Sequence, residues 1–218
     1  MPDPYLPALA DFSFDAAEIT VINLALNAEK PWEYVPASAV EIELLKSAKE
    51  KILNFHLERH GWTCCYCRTN LKGAGPFMTD REHILPKGKA AYKALSYTLW
   101  NLAAACKRCN LQFKRSGDGF VINGDDAAAL SESSNYYFIH PNFDLWNEHL
   151  TRVAVQVNAK NIVKILRKDS EKAAYTYDFF NLQELEVDSF DAAQGLDVRS
   201  PEAVAVMELR KLAEEFGQ

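Results

Sequence analysis

Four of the five cysteines in this 218-residue chain fall into two pairs, Cys64/Cys67 and Cys106/Cys109, each with two residues between its members. Thiolates at that spacing clamp an ion from one tight turn, and four of them form the tetrahedral soft-ligand set that zinc prefers. Cys65 is the spare, because a 65/67 pair would leave one intervening residue and a strained chelate. The pairing favours metal over disulfides in a reducing compartment. Zinc ribbons usually separate their pairs by about 15 to 20 residues. Here 38 residues lie between Cys67 and Cys106, so something is inserted.

The insert holds DREHILPKGKAAYKALSYTLWNLAAAC, which puts Glu82, His83 and Asn101 between the cysteine pairs, and Asn110 directly follows the last cysteine. An imidazole with an ordinary pKa of about 6.5 is neutral and able to accept a proton at physiological pH. A carboxylate and an amide oxygen are hard donors suited to Mg2+. One base and one hard cation suffice in principle to hydrolyse a phosphodiester: the base deprotonates water, and the cation neutralises charge as it develops. The charge distribution points the same way. The chain carries a formal charge of -6, yet residues 61–115 hold ten Lys/Arg against Asp80 and Glu82, a local +8, and the remainder is at -14. Lys87, Lys89, Lys107 and Lys114 are candidate phosphate contacts from this basic segment, with Lys93 beside them.

Glu82-His83, Asn101-Leu102 and the run CKRCN (106–110) followed by Lys114 resemble the HNH, or ββα-metal, nuclease superfamily over residues 61–116. The resemblance implies a β-hairpin with His83 near the end of its first strand, a loop holding Asn101 and a helix presenting Asn110. A four-cysteine zinc site would brace hairpin and helix. It further implies His83 as general base, Glu82 and Asn110 as ligands of a catalytic Mg2+ or Mn2+, and Asn101 as the residue that orients the site. Two positions depart from the commoner pattern. Glu82 stands where Asp is usual, leaving Asp80 as an alternative ligand, and the last position is Asn rather than His. The order REHILPKG, WNL, CKRCN is also similar to the HNH subunits of Septu-type anti-phage systems, which act beside an ATPase partner.

These residues need elements to position them. Residues 15–28 read as a first helix with Asp15 and Glu18 in its opening turn. A PWEYVP connector follows, and Ser38 to His60 then forms the clearest helix, with Val40, Leu44, Leu45, Ala48, Ile52, Phe55 and Leu57 on one stripe and Gly61 as its stop. A helix from about Leu102 to Lys114 would set Cys106 beside Cys109, and would line Lys107, Asn110 and Lys114 along the next face. Alternation in VAVQV, IVKIL and AAYTY predicts a three-stranded meander over 151–177, and SPEAVAVMELRKLAEEF closes the chain as a capped helix. The expected fold is α+β: an N-terminal helical region (1–60), a zinc-braced ββα core (61–116) and a strand-plus-helix extension (117–218).

Each functional reading has a structural competitor. Asn101 can cap a following helix as well as orient His83. Tyr92, Tyr97 and Trp100 read as packing rather than base-stacking residues, and His56/His60, like His140, Asp144 and His149, read as packing groups rather than a second site. No apolar run reaches the ~18 residues of a membrane span, and the start MPDPYLPALADF has neither a basic nor an apolar leader segment. The sequence therefore predicts a cytoplasmic endonuclease acting on DNA with structural Zn2+ and catalytic Mg2+ or Mn2+, and with an ATPase subunit as a candidate partner. Two rivals of other classes stay open: a zinc-stabilised nucleic-acid-binding module that does not cut, and a zinc scaffold for protein interaction.

Overall fold

Asp15 starts α1 (Ala16–Leu26) through a reciprocal cap: its carboxylate accepts the Glu18 N–H at 2.8 Å, and the Glu18 carboxylate accepts the Asp15 N–H at 2.8 Å. Ser38 caps α2 (Ala39–Arg59), its hydroxyl accepting the Glu41 N–H at 3.2 Å, and Gly61, at φ 60°, turns the chain out of the helix. Both helices run where the sequence predicts them. The computed structural model describes residues 3–157, 160–188 and Lys211, and the chain divides into two units, Met1–Leu145 and Trp146–Gln218. No helix among the described residues is long and apolar enough to cross a membrane.

In the first unit, Val21, Ile22 and Ala25 of α1 pack with Leu45, Ala48 and Ile52 of α2, and with Tyr97 and Leu102 from the insert. Burial of each large aliphatic side chain is worth about 1.5–3 kcal/mol, so this cluster anchors the insert to the helices. Val40, at the start of the predicted stripe, stays exposed. A one-turn α3 (Gly75–Met78) leads into β1 (Thr79–His83), which pairs antiparallel with β2 (Leu102–Cys106) from Thr79↔Cys106 to His83↔Leu102.

This hairpin corrects the predicted helix over 102–114. Residues 102–106 are a strand with all five side chains buried, and the β1 ladder together with burial on both faces overrides the helix preference of three alanines. Helical winding begins only at Lys107. Arg108–Lys114 forms π-helical turns, with the Arg115 N–H bonded to the Asn110 carbonyl five residues back at 2.8 Å.

In the second unit, β3 (Leu150–Val157) and β4 (Lys160–Arg167) form the predicted antiparallel pair, but AAYTY is not its third strand. It lies in α4 (Glu171–Phe179), because the Ser170 hydroxyl accepts the Ala173 N–H at 3.3 Å and starts a helix. The third strand is β5 (Val187–Asp188), paired with β4. The predicted C-terminal helix lies, apart from Lys211, outside the described residues.

His56 is buried in α2, and burial, aided by the Arg59 charge, pushes its pKa from 6.5 down to about 3. The unfolded chain protonates His56 near pH 6.5, the folded chain only near 3. Stability from this group is therefore complete above about pH 7 and is lost as pH falls toward 3. Between pH 7.5 and 5.5 the loss should be about 1.4 kcal/mol. Denaturant unfolding at the two pH values should show a smaller decline in His56→Gln than in the wild type, whereas equal declines would contradict a neutral, buried His56.

Candidate metal centre and adjoining cleft

Residues 62–71 fold into a tight knuckle. The Arg68 N–H bonds the Cys64 carbonyl and the Cys64 N–H bonds the Thr69 carbonyl, each at 2.9 Å, with Arg68 at φ 57°. The Cys65 N–H reaches the Ala104 carbonyl at 3.0 Å, so the knuckle is stitched to the middle of β2. Cys106 ends that strand and Cys109 sits in the first turn after it, its N–H 3.5 Å from Cys106 Sγ.

The sulfurs of Cys64, Cys67, Cys106 and Cys109 all lie within 4.8 Å of one another and all four residues are buried. A tetrahedron with metal–sulfur bonds of about 2.3 Å has edges of about 3.8 Å. Cys67 Sγ and Cys106 Sγ are 3.8 Å apart. The number, softness and spacing of these donors fit a zinc ion, which the cluster can hold as a closed structural site. Cys65 stays outside it, and burial pushes its thiol well above the ordinary range, which keeps it protonated. Among the described residues no other group of three or more His, Cys, Asp or Glu side chains comes together in this way.

Alternation along β1 gives its two faces different neighbours. Arg81 and His83 face α2 and the PWE connector: the Arg81 Nε–H donates to the Lys49 carbonyl at 2.8 Å, and the His83 ring packs edge-on against Trp32 with centroids 4.5 Å apart. Asp80 and Glu82 face the knuckle and the π-helical segment. Asn110 Nδ2 donates to Asp80 Oδ2 at 3.2 Å, and Lys114 Nζ lies 2.9 Å from Glu82 Oε1. Residues four apart on the helical segment thus bridge residues two apart on the strand. Tyr66, between the first two ligand cysteines, donates its hydroxyl to the same Glu82 Oε1 at 3.0 Å.

His83 Nε2 is 3.1 Å from the Ser96 carbonyl. Since a carbonyl can only accept, Nε2 carries the proton and Nδ1 the lone pair in the neutral ring. Burial, reinforced by the Lys87 and Lys49 charges and opposed by the Ser96 carbonyl and Glu33, moves the His83 pKa from 6.5 down to about 4, so the ring is neutral at pH 7. Asn101 is fully buried. Its Oδ1 accepts the Leu85 N–H at 2.7 Å, and its Nδ2 reaches the Leu85 and Leu95 carbonyls at 3.3 and 3.2 Å. It therefore pins the backbone two residues beyond His83. A strand follows it, so it caps no helix.

The Arg81/His83 face of β1 lines a cleft of about 690 Å³, together with Asn110, Lys114 and Arg115, with Lys87, Lys89 and Lys93 from the loop, and with Glu29, Lys30 and Glu33 from the connector. Of the candidate phosphate contacts, Lys87 pairs with Glu33 and Lys89 with Asp118, and both lysines line the cleft. Lys107 does not line it. Lys114 differs from expectation: it is 3% exposed and tied to Glu82, not displayed on an open helix face. Glu82 Oε2 is buried without a hydrogen-bond partner, and Glu82 itself does not line the cleft. Asn110 and Asp80 lie on the same side of the strand as Glu82.

The remaining candidates pack. Tyr92 and Tyr97 are buried, their hydroxyls on Asp118 and the Pro31 carbonyl, and Trp100 packs against Phe143. His140 stacks on Phe143 with centroids 4.0 Å apart, Asp144 accepts the His140 N–H at 2.7 Å, and His149 Nδ1 lies 2.6 Å from the Ser170 hydroxyl. Sequence reasoning did not find Tyr66, Trp32 or Ser96. Only Tyr66 carried a signal, its place between two ligand cysteines.

No protein-family model matches the chain, and comparison with curated proteins and with solved structures gives no match. The geometry therefore supplies the test. Structural zinc is worth on the order of 10 kcal/mol of apparent binding energy. Cys106→Ser should lose the metal and unfold at much lower denaturant, while Cys65→Ser should keep one zinc per chain by elemental analysis. Zinc loss in Cys65→Ser would contradict the ligand assignment.

Proposed function

We propose that the chain is an HNH-type endonuclease that hydrolyses DNA phosphodiester bonds. The observation that carries this reading is the neutral imidazole of His83, held by Ser96, Trp32 and the Asn101-pinned backbone in a lysine-rich cleft shared with Asn110 and Lys114. A phosphate seated between Lys87, Lys89 and Arg115 would present its phosphorus to a water near His83 Nδ1, which takes the proton as the water attacks. The Ser96 carbonyl holds Nε2–H in place and stabilises the imidazolium that results. A Mg2+ or Mn2+ held by Glu82 and Asn110 would supply charge neutralisation at the phosphate and the leaving oxygen.

Residues outside the basic segment are at -14, which suits a protein partner better than direct DNA contact. Together with the resemblance to Septu-type HNH subunits, this supports an ATPase subunit as that partner and a role in anti-phage defence.

Plasmid cleavage with Mg2+, Mn2+ or EDTA tests the reading. Wild type should cut with a divalent ion and stop with EDTA. His83→Ala should keep its zinc and its fold while cutting about 10²- to 10⁴-fold more slowly. Undiminished cutting by His83→Ala would refute the assignment. Salt-sensitive DNA binding without cleavage under any of these conditions would instead identify a nucleic-acid-binding module.

A further inference from the structure

Glu82 and Lys114 are the two most deeply buried opposite charges beside the cleft, at 0% and 3% exposed. The ion pair is asymmetric. Glu82 Oε1 receives both the Lys114 ammonium at 2.9 Å and the Tyr66 hydroxyl at 3.0 Å, while Oε2, equally buried, receives nothing. Lys114 is itself fixed at the end of the π-helical segment, where its Nζ also donates to the Arg115 carbonyl at 3.2 Å and Arg115 turns the chain at φ 54°. The ammonium faces Glu82, and Lys114 is among the residues that line the cleft.

A dication bound to Oε2 would sit only a few ångströms from this ammonium. In a buried site, like charges at that range repel strongly enough to change affinity by well over tenfold. We propose that Lys114 is the resident countercation of Glu82, and that a divalent ion reaches this carboxylate only in competition with it. The free protein then holds its hard-metal site closed, and the ion binds well only when the ammonium has moved toward the cleft. Lys114 is a positioning residue in this scheme, acting through Glu82. The proposal rests on the reading of Glu82 as a cation ligand but not on DNA cleavage.

The test is Mn2+ binding to the zinc-loaded full chain, read from the electron paramagnetic resonance signal of free Mn2+. Lys114→Met, which keeps the bulk and removes the charge, should lower the Mn2+ Kd at least tenfold, and Glu82→Gln added to it should abolish the gain. Unchanged or weaker Mn2+ binding in Lys114→Met overturns the proposal, even if the wild type cuts DNA. A gain in Mn2+ affinity in a chain that cuts nothing supports it and removes the nuclease reading alone. Should Lys114→Met fail to fold, Lys114→Arg keeps the proposal testable. Its planar fork can cover both Glu82 oxygens and should weaken Mn2+ binding below the wild type, and an unchanged Kd overturns it.

Discussion

Four sulfurs drawn within 4.8 Å of each other join three short pieces of chain: the knuckle at 62–71, the end of β2 and the first turn of the π-helical segment. None of the three is long enough to be stable alone, since two-stranded hairpins and seven-residue helices are marginal in water. Cys106 is the hinge of this arrangement, the last residue of the strand and the partner of Cys109 in the turn that follows. Once the cluster closes, the ladder from Thr79↔Cys106 to His83↔Leu102 places His83 at a defined distance from the metal centre, at the far end of β1. The packing of Leu102 with α1 and α2 fixes the other end of the same hairpin.

The site depends on neighbours in sequence that are not neighbours in environment. Glu82 and His83 share a peptide bond, yet strand geometry sends the first toward Tyr66 and Lys114 and the second toward Trp32 and Ser96. A buried anion and a neutral imidazole can therefore sit side by side without neutralising each other. The carboxylate is matched by an ammonium, while the imidazole, desolvated by burial and with the charges of Lys87 and Lys49 adding to that effect, stays unprotonated at pH 7. Burial of a charge is tolerated only with a partner, and a neutral base is kept neutral by the same burial.

Much of this was legible in the residues. Ligand spacing named Cys64, Cys67, Cys106 and Cys109 and left out Cys65, and capping chemistry at Asp15 and Ser38 located α1 and α2. Where local preference and tertiary context disagree, the residues misled. LAAAC reads as helix but is a strand because it is covered on both faces and paired with β1. AAYTY reads as strand but is helix because Ser170 caps it. Lys114 looked like a surface cation because nothing in a one-dimensional pattern shows that a residue four positions after Asn110 meets the strand residue two positions after Asp80. The contact of Trp32 with His83 likewise joins segments 51 residues apart and has no local signature.

X-ray absorption at the zinc edge of the purified chain measures the clamp directly. The account predicts four sulfur scatterers at about 2.3 Å and no nitrogen in the first coordination shell. A shell containing histidine nitrogen, fewer than four sulfurs, or no bound zinc at all would contradict it, and with it the placement of every residue at the end of β1.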